Sequence, residues 1–172
     1  MINIRHGTPA DRTALRALAR RAWQAGYAEL LPKEYLDSLG TDREPARPPQ
    51  PPQRTPTKIA RLIAELDGII VGAALVTNAR DLELPETHGE LAVLNVDPDH
   101  WHRGIGRTLL NEAEAWLRSI HLINAVLWTF ADNQRARTFY EASGWTPDGA
   151  TRTESLTPFR LAELRYGKTL TA

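Results

Sequence analysis

The hydrophobic positions near the N-terminus change from a period of two to a helical period. Ile2 and Ile4 alternate with polar neighbours, which is the pattern of a short strand. Leucine and alanine then recur at helical spacing, which predicts an amphipathic helix over roughly residues 9–25. A second helix is predicted from Pro32, because proline is favoured at a helix start, to Gly40, which ends it.

After residue 57 the apolar runs are shorter and predict mainly strands. Asp67-Gly68 separates two such runs and indicates a β-hairpin turn. Strands are predicted over 59–65, 69–76, 90–96, 125–130 and 160–166, and helices from Gly104 to Leu117 and from Arg135 to Ser143. This order of elements predicts an α/β (α+β) fold, and the length predicts a single domain over residues 1–172.

Between the two parts lies a proline-rich stretch, residues 41–57, which holds six of the chain's 12 prolines. Such a stretch cannot form regular backbone hydrogen bonds, so an extended surface loop is predicted rather than a partner-binding motif. The loop is not a domain boundary, because the residues that precede it are too few to fold alone.

Charge and composition exclude several classes of protein. The chain has 172 residues, with 21 Lys and Arg against 21 Asp and Glu, for a formal net charge of zero. This balance argues against a nucleic-acid binder, which usually carries a basic face. No apolar run reaches the length of about 18 residues that a membrane span needs, and the N-terminus does not resemble a signal peptide. We therefore expect a soluble, cytoplasmic protein.

The chain contains no cysteine, which excludes disulfide scaffolds, thiolate zinc sites and cysteine nucleophiles. The five histidines show no metal-ligand spacing. His100 and His102 share one turn, but no further ligand accompanies them. We expect no metal site.

The densest chemical signal runs from Val96 to Leu110, where a strand leads through a glycine-containing turn into an amphipathic helix. Free amides at a helix start suit a pyrophosphate, and glycines allow close approach of the backbone. Leu109 stands where a dinucleotide fingerprint needs a small residue, and the Gly-Lys-Ser/Thr of a Walker A loop is absent. On spacing alone, two interpretations remain: a pyrophosphate loop of another type, or a simple turn at the start of a helix.

Two motifs together resemble the GNAT superfamily of N-acetyltransferases. The first is Val-x-Pro-x-x-x-x-Arg-Gly-Ile-Gly-Arg-x-Leu-Leu, which begins at Val96, and the second is Asn-x-x-Ala-x-x-Phe-Tyr-x-x-x-Gly-Trp, which begins at Asn133. The opening helices, with Trp23 and Tyr27, are also similar to one branch of that family. Trp101 departs from the pattern, because the family commonly has Arg or Gln there, so a phosphate contact from this side chain is not expected.

The resemblance implies a mixed, mostly antiparallel sheet of about six to seven strands flanked by helices. A splayed pair of parallel strands in that sheet would hold acetyl-CoA, with pantetheine along the backbone of Leu94 and Val96. Asn133 would bond the cofactor from the next strand's end. The pyrophosphate would lie on the loop formed by His102, Arg103, Gly104, Ile105, Gly106 and Arg107.

The resemblance also implies a reaction and the residues for it. Tyr140 matches the family's general acid, and a phenol of pKa about 10 can protonate a thiolate whose acid has a pKa of about 8.5. Glu90 is the candidate base, directly or through water, and strand alternation would place it on one face with Leu94 unless a bulge intervenes. Trp23, Tyr27 and Trp128 would line an acceptor pocket, although such aromatic residues also occur as core.

We therefore expect an acetyl-CoA-dependent N-acetyltransferase that moves the acetyl group directly to a primary amine of a small molecule or peptide. The alternative is a non-catalytic, regulatory acyl-CoA-binding module. Neither nucleic acid nor a membrane is an expected partner, and the protein is expected to be a monomer or a homodimer.

Overall fold

The computed structural model describes residues 1–46, 48–49 and 52–170 of the chain. The strands are β1 (Ile2–His6), β2 (Ile59–Leu66), β3 (Ile69–Asn78), β4 (His88–Val96), β5 (Asn124–Phe130), β6 (Thr146–Leu156) and β7 (Phe159–Thr169). The α-helices are α1 (Arg12–Gly26), α2 (Lys33–Ser38), α3 (Ile105–Ser119) and α4 (Gln134–Glu141).

All seven strands form one sheet in the order β1-β2-β3-β4-β5-β7-β6. Every neighbouring pair is antiparallel except β4 and β5, which pair in parallel at three positions, from His88–Asn124 to Glu90–Val126. Beyond Glu90 the two strands continue without pairing and leave a cleft between them. The sheet thus confirms the mixed, mostly antiparallel architecture with a splayed parallel pair.

The two faces of the sheet carry separate cores. Leu127 of β5 belongs to the core beneath α3 and α4, whereas Phe130, three residues on, packs with the aromatic residues of α1 and α2. Because side chains of a strand alternate between faces, these two residues mark opposite sides of the sheet. We call them the α3 face and the α1 face.

A bulge in β4 decides which side chains reach each face. Val93 pairs with Leu75 and Leu91 with Val76, so Ala92 is the extra residue. Leu91 and Leu94 therefore both point to the α3 face, in the core of α3, while Glu90 points to the α1 face. The alternation that would place Glu90 beside Leu94 is wrong, because the bulge reverses the side-chain order within the strand.

The sequence pattern missed β6, because most of its residues are polar or exposed and give no alternating apolar signal. The strand forms by pairing with β7, which is longer than predicted. Of the predicted proline-rich loop, residues 47, 50 and 51 lie outside the described residues. The C-terminal part of this loop is held by Arg54, whose guanidinium donates to the carbonyls of Ala79 (2.9 Å) and Leu84 (3.0 Å).

None of the helices in the described part of the chain has the length and apolar character that crossing a membrane requires.

Candidate active site

A cleft of about 1000 Å³ opens where β4 and β5 diverge. Its walls come from both faces of the sheet: the starts of α3 and α4 on one side, and α1, β6 and β7 on the other. We call these the α3 half and the α1 half. Most predicted site residues line it, namely Trp23, Tyr27, Leu94, Val96, His102, Gly104, Ile105, Gly106, Arg107, Trp128, Asn133 and Tyr140. Glu90 and Arg103 are not among its lining residues.

The glycine loop is shaped by its backbone. Gly104 precedes α3 with φ +80°, a left-handed conformation that favours glycine, and a Cβ there would have open space around it. Trp101 closes the start of the loop, because its indole Nε1 donates to the carbonyl of Val96 at 2.8 Å. The open start of α3 lies at the cleft and presents backbone amides, as a pyrophosphate site requires. The loop therefore has the open backbone amides that binding of a pyrophosphate requires.

The predicted pyrophosphate loop contains two arginines, Arg103 and Arg107, and they lie in different surroundings. Arg107 lines the cleft, and its guanidinium donates to the carbonyl of Ala142 at 3.0 Å and lies 5.9 Å from the Phe139 ring. Arg103 is exposed. Of the two, Arg107 is therefore the one placed beside the cleft, with its guanidinium already bonded to the end of α4.

Asn133 is buried at the start of α4, where its side-chain oxygen accepts from the amide of Ala136 at 3.1 Å. This bond satisfies one of the free amides at the helix start and fixes the side chain beside the cleft. The carboxamide oxygen is committed to the helix, so the carboxamide nitrogen is the group left to meet a ligand.

Tyr140 lies half-buried on α4, in ring contact with Phe139 at 5.2 Å and near Trp145 and Tyr166. Burial raises the pKa of its phenol above the ordinary value. Tyr27 adds to the rise and the Arg135 guanidinium opposes it. The phenol is therefore protonated at neutral pH, which is the form that a general acid needs.

Trp23 and Tyr27 serve both as core and as cleft wall. Their rings meet edge to face at 4.7 Å, and Tyr27 meets Phe130 at 5.1 Å. Burial, with a smaller contribution from the Glu163 carboxylate, raises the pKa of Tyr27 to about 12. Trp128 is half-buried on the same face, with the Arg152 guanidinium 4.3 Å from its ring.

Glu90 lies behind Arg80 rather than at the cleft. Its side chain is buried, and Arg80 lines the cleft. Glu90 Oε2 accepts from the Arg80 amide (3.0 Å) and from Nε (3.2 Å), while Oε1 accepts from Nη2 (2.5 Å). Both oxygens are thus bonded to one arginine, which separates the carboxylate from any molecule in the cleft.

The sequence reasoning missed the charged residues of the α1 half. Glu154 and Arg152 come from β6 and Glu163 from β7, and all three line the cleft. Along β7, Glu163 lies two residues after Leu161 and four after Phe159, so its side chain points to the same face of the sheet. Leu161 and Phe159 pack in the core of the α1 face. A carboxylate at a strand position whose neighbours on the same face are apolar is unusual, and this signal in the sequence could have identified Glu163.

The sequence and the fold match known proteins. A family model described as the acetyltransferase (GNAT) family matches residues 12–145. The spermidine N(1)-acetyltransferase of Thermoplasma acidophilum is 26% identical over 147 residues, covering 84% of this chain and 88% of that protein. A probable N-acetyltransferase of Mycobacterium tuberculosis is 28% identical over 152 residues, covering 88% and 84%.

The fold is shared with solved structures. The crystal structure of PaiA N-acetyltransferase from Thermoplasma acidophilum in complex with coenzyme A superposes with a TM-score of 0.73 and 20% identity. The match covers 98% of this chain and 99% of that chain.

The chain therefore belongs to the acetyltransferase (GNAT) family. It is an acetyl-CoA-dependent N-acetyltransferase, as the resemblance of its two motifs implied.

Proposed function

We propose that the enzyme transfers the acetyl group in one step, from acetyl-CoA to a primary amine that enters from the α1 half of the cleft. The observation that carries this proposal is the course of the cleft through the sheet, from the glycine loop and Tyr140 to the charged α1 half. Donor and acceptor can then meet from opposite faces. Acetyl-CoA supplies an activated acyl group, and the chain orients the partners and moves protons.

Tyr140 is the proposed general acid. The residue lines the cleft, and its protonated phenol gives its proton to the sulfur as the thiolate departs. Leu94 and Val96 supply backbone groups for pantetheine, residues 102–107 bind the pyrophosphate, and Asn133 adds a donor from the start of α4.

Glu90 is one candidate for the base, and it would act through water rather than by direct contact. The direct route is blocked because Arg80 bonds both carboxylate oxygens and lies between them and the cleft. Water at the edge of this ion pair would be the intermediary for the proton.

The acceptor is proposed to be a small amine, and a polyamine is the first candidate. Two carboxylates, Glu154 and Glu163, line the α1 half and would attract a cationic amine. The relative from Thermoplasma acidophilum carries the name of a spermidine acetyltransferase. A peptide amine is the second candidate, because the cleft is open to solvent.

The test is release of thiol from acetyl-CoA with a panel of spermidine, L-lysine, glucosamine and a peptide with a free N-terminus. We expect turnover with at least one amine, and mass spectrometry should find the acetyl group on its nitrogen. A folded protein that binds acetyl-CoA but turns over none of these amines would contradict the proposal.

We also propose that the enzyme works in the cytoplasm, where acetyl-CoA is available, as a monomer or homodimer. Cell fractionation and light scattering of the purified protein test these two points.

A further inference from the structure

The α1 half of the cleft contains a cluster of charged side chains from four elements or their connections. Arg152 and Glu154 lie on β6, Glu163 on β7, and Arg80 follows β3. Glu90 of β4 lies behind Arg80. Two ion pairs organise the cluster: Arg80 with Glu90, and Arg152 with Glu163.

Glu163 differs from Glu90 in how its two oxygens are used. Its Oε2 accepts from Arg152 Nε at 2.6 Å, and the residue is only 8% exposed. Within the part of the chain that the structure describes, no hydrogen bond reaches Oε1, and the residue lines the cleft. One oxygen thus anchors the carboxylate, and the other is left for a molecule in the cleft.

The surroundings of Glu163 favour proton transfer. Burial raises the pKa of Glu163 above the ordinary value, the bond from Arg152 opposes the rise, and the carboxylates of Glu154 and Glu90 add to it. The other ionisable groups that interact with Glu163 are Arg80 and the Tyr27 phenol. A carboxylate whose pKa lies nearer neutrality is the better base at neutral pH.

Tyr27 connects Glu163 to the acid side of the cleft. Its phenol interacts electrostatically with Glu163 and with Tyr140. Glu163 pairs across the sheet with Phe130, the last residue of β5, whose ring contacts Tyr27.

We propose that Glu163 is a further catalytic residue, which binds the acceptor's ammonium group in the α1 half and takes one proton from it before attack. The proposal rests on the proposed direct transfer and adds to it the class of acceptor, an amine that arrives charged.

The protons balance as follows. The ammonium gives one proton to Glu163, and the neutral nitrogen forms the N–C bond with the acetyl carbon while the C–S bond breaks. Tyr140 gives its proton to the sulfur. The second nitrogen proton restores the Tyr140 phenol, and Glu163 releases its proton to water, so that each turnover yields an amide, a thiol and one proton.

Glu163→Gln keeps the shape of the side chain and removes the base. With spermidine and saturating acetyl-CoA at pH 7, we expect kcat/KM to fall by about 10²-fold or more. The loss should shrink as the pH approaches the amine's own pKa of about 10, because neutral amine then arrives from solvent. The KM for acetyl-CoA should stay within about twofold, because Glu163 lies in the half of the cleft that takes the acceptor.

Glu112→Gln is the matched control, because Glu112 is exposed on α3, away from the cleft lining. It should behave as wild type. Glu163→Asp retains a carboxylate and should recover part of the activity. Arg152→Gln removes the group that opposes the raised pKa of Glu163, so the acidic limb of the kcat/KM profile should move to higher pH.

The outcomes separate this proposal from the proposed function. An active wild type with an unchanged Glu163→Gln profile would overturn the role of Glu163 and leave direct transfer standing. If Glu90→Gln showed the pH-dependent loss instead, the base would be Glu90. A wild type that acetylates no amine of the panel would overturn both. A loss in Glu163→Gln that is equal at all pH values would reduce Glu163 to a structural role, and binding of coenzyme A by calorimetry would show that the variant is folded.

Discussion

Tyr140 is the residue whose hydroxyl the proposed mechanism depends on most directly. Tyr140→Phe removes the transferable proton and keeps the ring contact with Phe139. We expect kcat to fall by about 10²-fold or more while the affinity for coenzyme A stays nearly unchanged. Steady-state kinetics and calorimetry with coenzyme A measure the two quantities.

Tyr166→Phe is the matched control for this change. The Tyr166 hydroxyl accepts from Arg137 and donates to Glu141, and the residue does not line the cleft. Loss of the Tyr166 hydroxyl should lower the free energy of unfolding by about 1 kcal/mol and leave kcat unchanged. A rise in the KM for acetyl-CoA with unchanged kcat in Tyr140→Phe would instead make Tyr140 a packing residue.

The candidate residues could be predicted from the sequence where a local motif carries them. Asn133 and Tyr140 lie within one short segment with its own spacing, so no long-range information was needed. Glu163 meets Arg152 only because β6 pairs with β7, and neither the missed strand nor its register is visible in the local pattern. Likewise, Glu90 could be chosen as a strand carboxylate, but its bonds to Arg80 depend on the antiparallel pairing of β3 and β4.

Among the elements, β4 shows why strand prediction was insufficient for the site. Its extent was approximately predicted, but the bulge at Ala92 moves Glu90 to the other face. The bulge depends on how β4 pairs with its partner strand, and no residue typical of bulges marks its position in the sequence. The helices α3 and α4 were predicted well, because glycine and asparagine mark their starts and apolar spacing marks their faces.

Gly89 makes the close approach of α3 to β4 possible. It is one of the three parallel pairing positions, and a Cβ there would lie 2.6 Å from Leu117 Cδ2. Gly89→Ala should therefore lower the free energy of unfolding by about 1–3 kcal/mol, as overpacking does in a well-packed core. Urea denaturation of the purified protein measures this.

Gly167 offers the matched control within the same sheet. A Cβ there would meet its nearest neighbours at 3.9 Å and 4.0 Å, which is ordinary contact. Gly167→Ala should change the free energy of unfolding by no more than about 1 kcal/mol. Equal effects of the two substitutions would show that contact with Leu117 does not limit position 89.

A second connection ties α1 to the end of β4. Arg21 donates to the carboxylate of Asp97, which also accepts from the Asp99 amide at 3.2 Å at the start of the loop. Burial pushes the pKa of Asp97 upward, but the bonds from Arg21 and the Asp99 amide outweigh it, and the pKa lies below its ordinary value. The resulting stability is present above the unfolded pKa of about 3.9 and is lost as the pH falls through the lower folded value.

Arg21→Gln should therefore lower the melting temperature at pH 7, and the difference from wild type should shrink below about pH 4. Arg16→Gln, which changes an exposed arginine of the same helix, is the control. Thermal melts at several pH values between neutral and acid measure both. A difference that stayed constant down to acid pH would show that Asp97 is not the group that titrates.

For the whole molecule, the balanced charge of 21 basic and 21 acidic residues conceals local asymmetry. Zero net charge argues against an extended polyanion as partner, but a single pyrophosphate needs only the amides of one helix start and a nearby arginine. The same applies to the α1 half, where three carboxylates, Glu90, Glu154 and Glu163, lie with two arginines, Arg80 and Arg152. The net charge of the chain therefore indicates whether the protein binds an extended charged ligand. It does not indicate the sign of the charge on a small ligand.

The absence of cysteine and the course of the cleft lead to a prediction about the order of events. No thiol in the chain can carry the acetyl group, and the cleft is lined by residues from both faces of the sheet, so donor and acceptor can be bound at the same time. Initial velocities with spermidine at several fixed acetyl-CoA concentrations should give intersecting double-reciprocal lines. Protein incubated with acetyl-CoA alone should show no added acetyl mass. Parallel lines together with an acetylated protein would instead mean that a side chain of the enzyme carries the acetyl group between the two substrates.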